Sequence, residues 1–208
     1  MKALHKLLNV ILFVGFSFSL FSQYAPPGTV RLKPSETGVK HATFIDETEV
    51  TVQYWLDFLH WISVKYETES PEYKAMLPDS IICSQVYVGG FRYPAYRDLP
   101  MVGISYEQAI AYCKWRADRV NENLILMKKK KYNYTVSYSL PTKTDFKEAY
   151  KHGIIKYRFP VPPINELTVE KTLMIKGGWR LSFEPYQEPN AMTGFRCVAE
   201  ITNNQISK

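Results

Sequence analysis

The residues with which this chain could do chemistry are few. It has three cysteines, Cys83, Cys113 and Cys197, and four histidines, His5, His41, His60 and His152. Thiolates and imidazoles hold soft and borderline metals, but they do so from clustered positions. No two of the histidines stand at metal-ligand spacing. His60 falls alone inside a helical pattern, which suits a surface or packed residue better than a ligand. No glycine-rich phosphate loop and no G-x-S-x-G elbow occurs. Glu47 and Glu49 are neighbouring carboxylates, but they stand where a helix starts, and capping and turn roles explain them.

The elements that would position these residues can be read from periodicity. In Pro100–Asn121, Ser105 and Gln108 form a capping box. Tyr106, Ala109, Ile110, Cys113, Ala117 and Val120 then make one apolar stripe, placing Cys113 on a buried helix face. Thr51 caps a second helix running to about Tyr66, with Tyr54, Trp55, Phe58, Leu59 and Ile62 facing inward. Thr142 and Asp145 start a third, which Gly153 stops, with Phe146, Ala149 and Tyr150 facing the core. Tyr132–Leu140 alternates as a strand. Shorter strands are expected at Thr29–Leu32, Ala42–Asp46, Leu173–Lys176 and Phe195–Ile201, with small ones at Ile81–Cys83 and Gln85–Val88 inside a long connection. Arg158–Pro163 reads as a proline-broken loop, and Gly177-Gly178 as a close backbone approach. The chain has 208 residues, 46% hydrophobic and 22% charged, with no internal repeat. That is enough for one domain with a real core.

Several of these segments together resemble the formylglycine-generating enzyme (sulfatase-modifying factor) family. Pro100–Trp115 matches its string "P-V-x-x-V-S-W-x-x-A-x-A-Y-C-x-W", with Tyr106 in place of the first tryptophan. Glu49-Val50-Thr51 with Gln53-Tyr54 resembles "E-V-T-x-x-Q-Y", and Leu140-Pro141-Thr142 resembles "L-P-T-E-A-E-W". Gly177-Gly178-Trp179 and Gly194-Phe195-Arg196-Cys197 resemble "G-G-S-W" and the closing "G-F-R-C". The stretches Cys113–Glu122 and Leu77–Tyr96 are similar to the gliding-motility lipoproteins that share this fold. The resemblance implies an α+β, loop-rich single domain over residues 23–202, related to C-type-lectin-like folds, with short strands, three main helices and a polar tail at 203–208.

It also implies where chemistry should be. Active members oxidise a substrate cysteine with a copper-binding cysteine pair between "G-G-S-W" and "G-F-R-C". Here Trp179–Thr193 contains no cysteine, and Met192 is one thioether where two thiolates are needed. The interval for calcium, Lys151–Lys176, offers only Glu166 and Glu170 as carboxylates, against six to eight oxygen ligands (~6–8) for that ion. Both metal sites are therefore expected to be lost, and no cofactor is expected. The resemblance further implies a disulfide between Cys113 and Cys197, leaving Cys83 odd. Without metals, the former active-site region around Trp179, Arg180, Phe183 and Tyr186 becomes a candidate partner surface. The expected role is a non-catalytic structural or interaction component of the cell envelope, linked to gliding motility or its secretion system. Its expected partners are envelope or secretion-machinery proteins. The alternatives are an oxidase of the formylglycine-generating type with another ligand set, and a carbohydrate- or peptide-binding module.

Residues 1–22 read as a secretory signal peptide: Lys2 and Lys6, the apolar Leu7–Phe21, and Ser22 at a cleavage edge. The apolar run is about 15 residues, short of the ~20 that span a bilayer, so no transmembrane span is expected in the mature chain. No cysteine stands near the edge to take a lipid anchor. Removing Lys2 and Lys6 lowers the net charge from +6 to +4, much of it in Lys128–Lys131. That run is expected to be a solvated turn, not a nucleic-acid patch. Intact-mass analysis of protein from the cell envelope is expected to find a chain beginning near Gln23; a mature form beginning at Met1 would overturn export by this route.

Overall fold

The computed structural model describes residues 25–32, 42–126, 134–155, 164–175 and 181–203. The signal segment, Lys128–Lys131, Arg158–Pro163, Gly177–Arg180, His5, His41 and the tail from residue 204 lie outside the described residues.

A first sheet has strand order β1 (Thr29–Arg31), β2 (Ala42–Asp46), β8 (Val198–Asn203) and β3 (Tyr134–Ser139), all antiparallel. A second has order β6 (Ser182–Pro185), β5 (Thr172–Ile175), β4 (Asn165–Leu167) and β7 (Thr193–Gly194). In it only the β4–β7 pairing is parallel. The helices are α1 (Val52–Tyr66), α2 (Pro71–Ala75), α3 (Ser80–Val86), α4 (Tyr106–Leu126) and α5 (Lys143–Lys151). The expected α+β class holds, with two short helices added to the three main ones.

Local chemistry explains where the helices begin. Thr51 Oγ1 accepts from Tyr54 N at 3.4 Å to start α1. Ser105 and Gln108 form the expected box on α4: Gln108 N donates to Ser105 Oγ at 3.1 Å, and Ser105 N to Gln108 Oε1 at 2.8 Å. The same glutamine donates through Nε2 to the carbonyls of Ala75 (2.9 Å) and Leu77 (2.8 Å), where α2 ends. Thr142 and Asp145 box the start of α5. Gly153, at φ 62°, closes it.

Three expectations need correction. Ile81–Cys83 and Gln85–Val88 are not strands but lie in or beside helix α3. Asp79 caps it by accepting from Ile81 N (2.9 Å) and Ile82 N (3.0 Å). That local cap outweighs the β preference of two adjacent isoleucines. Tyr54 and Tyr150 do not face the core: they are 54% and 45% exposed. Ile110 is also exposed, and Tyr112 is buried in its stead, so the buried stripe of α4 is rotated toward Ala109, Tyr112 and Cys113.

The core is aromatic. Trp55 of α1 stacks on Tyr112 of α4 at 5.8 Å, and Phe195 meets Tyr112 edge-on at 5.4 Å. Asn121 straps α4 to β3, donating to Val136 O at 2.8 Å and accepting from Val136 N at 2.9 Å. This caps part of the exposed edge of the first sheet.

A buried guanidinium joins the two sheets. Arg196 and Glu166 are each 0% exposed. Arg196 forks onto Glu166 of β4, Nε to Oε2 at 2.5 Å and Nη2 to Oε1 at 2.8 Å. Its Nη1 donates to the carbonyls of Asp46 (2.9 Å) and Glu47 (3.2 Å) at the end of β2. Glu49 adds a second carboxylate at 3.7 Å. Glu49 is thus a buried ion-pair partner and not merely a turn residue. Burial alone would lower the Arg196 pKa, but Glu166 first and Glu49 after it hold the group firmly charged. Glu166→Ala or Arg196→Ala is expected to lower unfolding free energy by about 3–5 kcal/mol, because each strands a buried charge. Urea denaturation measures this. The paired replacement Glu166→Leu/Arg196→Met is expected to cost less than either single change, and additive single losses would show that the groups do not act as a pair.

Candidate functional site

Helix α4 delivers Cys113, and the residue before β8 delivers Cys197. Their sulfurs lie 3.6 Å apart, both buried and both thiols. A disulfide closes at about 2.05 Å, so the two sit in contact and one short approach from a bond. The hydrogen bond to Cys197, then burial, pushes the Cys113 thiol well up from its usual range. Beside it, burial and then Cys197 push the Tyr112 hydroxyl up. Cys83 is elsewhere, on α3, donating to Val102 O at 3.4 Å; burial and then Asp79 push its thiol up to about 12. The described residues thus bring two sulfurs together, already in contact with each other, and leave Cys83 apart on α3.

The calcium expectation can be tested on the two carboxylates of that interval. Glu166 is consumed by Arg196. Glu170 accepts from Lys143 N at 3.1 and 3.2 Å. Two carboxylates already engaged by protein donors do not fit a site that wants several hard oxygens. Among the described residues, no group of three or more His, Cys, Asp or Glu is placed to hold a metal. His60 is exposed, and His152 ends α5 with its Nε2 3.5 Å from Glu148. Met192 is exposed.

The expected partner surface is only partly where the sequence put it. Trp179 and Arg180 lie outside the described residues. Phe183 is half-buried on β6, an edge of the second sheet, with Lys143 Nζ 5.9 Å from its ring centre. Glu184 and Pro185 are exposed. Tyr186, by contrast, is buried, tilted against Tyr106 at 6.4 Å, and burial pushes its hydroxyl pKa up. The chain turns inward after Pro185 because this ring completes the packing over the start of α4.

Two concavities were not read from the sequence. One, of roughly 520 Å³, lies between α1, α2 and α4 and is walled by Phe58, Trp61, Met76 and Trp115. Lys65 Nζ stands 4.9 Å from the Trp61 ring centre at its margin. The other, of roughly 300 Å³, is polar and is lined by Asp46, Glu47, Glu49, Tyr54 and Arg116. Arg116 Nη1 donates to Asp46 Oδ2 at 2.6 Å, and its guanidinium covers the Tyr138 ring at 4.5 Å. Burial works against the Arg116 charge, but Asp46 outweighs it and raises the pKa well above the ordinary value. The only sequence signals were an arginine at the margin of a buried helical stripe and an aspartate ending an apolar strand.

A family model described as sulfatase-modifying factor enzyme 1-like domain matches residues 22–169, well over half of the chain. Gly194–Cys197 lies beyond the matched stretch. No curated protein and no solved structure matches.

Non-reducing peptide mapping of exported protein is expected to join Cys113 to Cys197, with Cys83 alkylated only after unfolding. The bond would close a loop of 84 residues and is expected to add about 4 kcal/mol in the chain-entropy model. Cys83 joined to either partner would overturn the pairing.

Proposed function

The chain belongs to the sulfatase-modifying factor enzyme 1-like domain family, and from that premise we propose that it is an exported, non-catalytic member. It acts as an interaction component of the cell envelope, linked to gliding motility or the secretion system that accompanies it. The observation that carries the non-catalytic reading is the cysteine inventory. The chain has three cysteines, none between Trp179 and Thr193. The two that meet are buried thiols.

What supports a binding role is an aromatic-rich scaffold with loop surfaces left over. Phe183, Glu184 and Pro185 on the β6 edge, together with Trp179 and Arg180, form the proposed contact region for an envelope or secretion-machinery protein. The link to gliding rests on the resemblance at Cys113–Glu122 and Leu77–Tyr96. Export rests on residues 1–22. Among the described residues, no helix is long and apolar enough to cross a membrane.

Copper titration combined with turnover of a cysteine-containing sulfatase peptide tests the reading against an oxidase. Neither stoichiometric copper binding nor formylglycine is expected, and cross-linking in envelope extract is expected to recover a stable complex. Tight copper binding with formylglycine formation would overturn the scaffold and establish the enzyme.

A further inference from the structure

The concavity of roughly 520 Å³ between α1, α2 and α4 is walled by three helix faces. Phe58 and Trp61 stand on α1, Ala75 and Met76 on α2, and Ala111 and Trp115 on α4. Within each helix the lining positions recur three or four residues apart, so each wall is one side of its helix. Two of the lining residues are alanines from different helices, Ala75 and Ala111, and their small side chains leave the space open. Clefts between packed helices, of about 300–1,000 Å³ and mostly apolar, are where small molecules are held.

The walls decide which ligand fits. Their backbone groups are spent. Helical N–H and C=O groups bond along the helix, and the carbonyls of Ala75 and Leu77, where α2 ends, take Gln108 Nε2. An extended peptide therefore finds no strand edge to pair with. The rim is balanced in charge, with Lys65 and Lys114 set against Glu72 and Asp118. An ionic head meets attraction and repulsion together. The rings do not call for a cation either. Lys65 Nζ already stands 4.9 Å from the Trp61 and Tyr66 ring centres, and the Arg119 guanidinium 4.6 Å from that of Trp61. A charge carried into the cleft would lose its water without gaining a partner.

The apolar surface that remains suits a ring. Phe58 and Trp115 lie 5.2 Å apart, tilted by 50°, and both meet Tyr112 behind them at 5.6 and 5.4 Å. Such a tilted cluster offers edges and faces to a further aromatic ring. A rigid ring also gives up less rotational freedom on binding than an alkyl chain of the same area.

We infer that this cleft binds a neutral aromatic small molecule of one or two fused rings, packed against Phe58 and Trp115. The site does not rest on the scaffold reading, since a catalytic member could carry it too.

The test is a titration of the ¹⁵N-labelled mature chain with naphthalen-1-ylmethanol, followed through amide and indole N–H signals. Saturable shifts are expected for the Trp61 and Trp115 indoles and the Ala75 and Ala111 amides, with the β6 amides unmoved. Naphthalene-1-carboxylate and naphthalen-1-ylmethylammonium, the anion and cation on the same ring, are each expected to bind about tenfold more weakly. Ala111→Leu fills the cleft from α4 with a good helix former. It is expected to weaken binding at least about tenfold while the melting temperature holds or rises. Ala75→Leu, at an exposed position of α2, repeats the filling from a second wall and decides the matter if Ala111→Leu disturbs the fold. Unchanged binding in a folded filling variant, or shifts that grow linearly without saturating, would overturn the proposal. Equal binding of the charged probes would overturn the neutral ligand, and tighter binding of octan-1-ol would overturn the ring. Tighter binding of N-acetyl-tryptophan methylamide would overturn the small molecule in favour of a partner's side chain. Copper and sulfatase-peptide assays report on the scaffold reading and leave this outcome untouched.

Discussion

The two sheets of this domain are each small, and beside the apolar core they share, a single guanidinium with no access to water ties them together. Arg196 reaches from the strand end before β8 to Glu166 on β4 and to the carbonyls that close β2. An arginine suits this place because its planar fork satisfies a carboxylate with two bonds and has a nitrogen left for backbone oxygens. The arrangement is a constraint as much as a source of stability. Once the charge is inside, Glu166, Glu49 and the turn at Asp46–Glu47 have to be where they are, since any one of them missing leaves an uncompensated group. The carboxylates of Glu166 and Glu49 are spent on holding the fold together.

Around that point the apolar architecture is built on α4. Its buried side presents Tyr112 to Trp55 and Phe195, and its neighbouring residue Cys113 to Cys197. The helix thus touches α1, the segment before β8 and, through Asn121, β3. Arg116, a turn beyond Tyr112 on the same side, reaches Asp46. Aromatic contact and ion pairing converge on the same few square nanometres, so packing and electrostatics fix one arrangement of the helix against the first sheet.

What could be read from the sequence was local. The boxes at Ser105–Gln108 and Thr142–Asp145 lie within three residues of themselves, so pattern alone locates them. The alternation of β3 and the stripe of α4 are of the same kind. The errors follow from the same limit. Ile81 and Ile82 carry a β preference that a single Asp79 cap reverses, and Tyr54 and Tyr150 are amphipathic rings whose side of the helix only the neighbours decide. The site could not be read because its pairings are remote. Asp46 finds Arg116 70 positions on, and Arg196 finds Glu166 30 positions back. No periodicity links such residues, and each taken alone looks like an ordinary surface charge.

Gln108 has a consequence of another sort. Its carbonyl oxygen completes the start of α4, while its amide nitrogen closes the carbonyls of Ala75 and Leu77 where α2 runs out. One helix begins and another ends on the two halves of one amide group. Neither end can fray without withdrawing the other's partner. The short α2, too small to hold its shape in isolation, thereby shares the protection of the longest helix among the described residues. In hydrogen exchange the two would open as a single cooperative unit, although 30 residues of chain separate them.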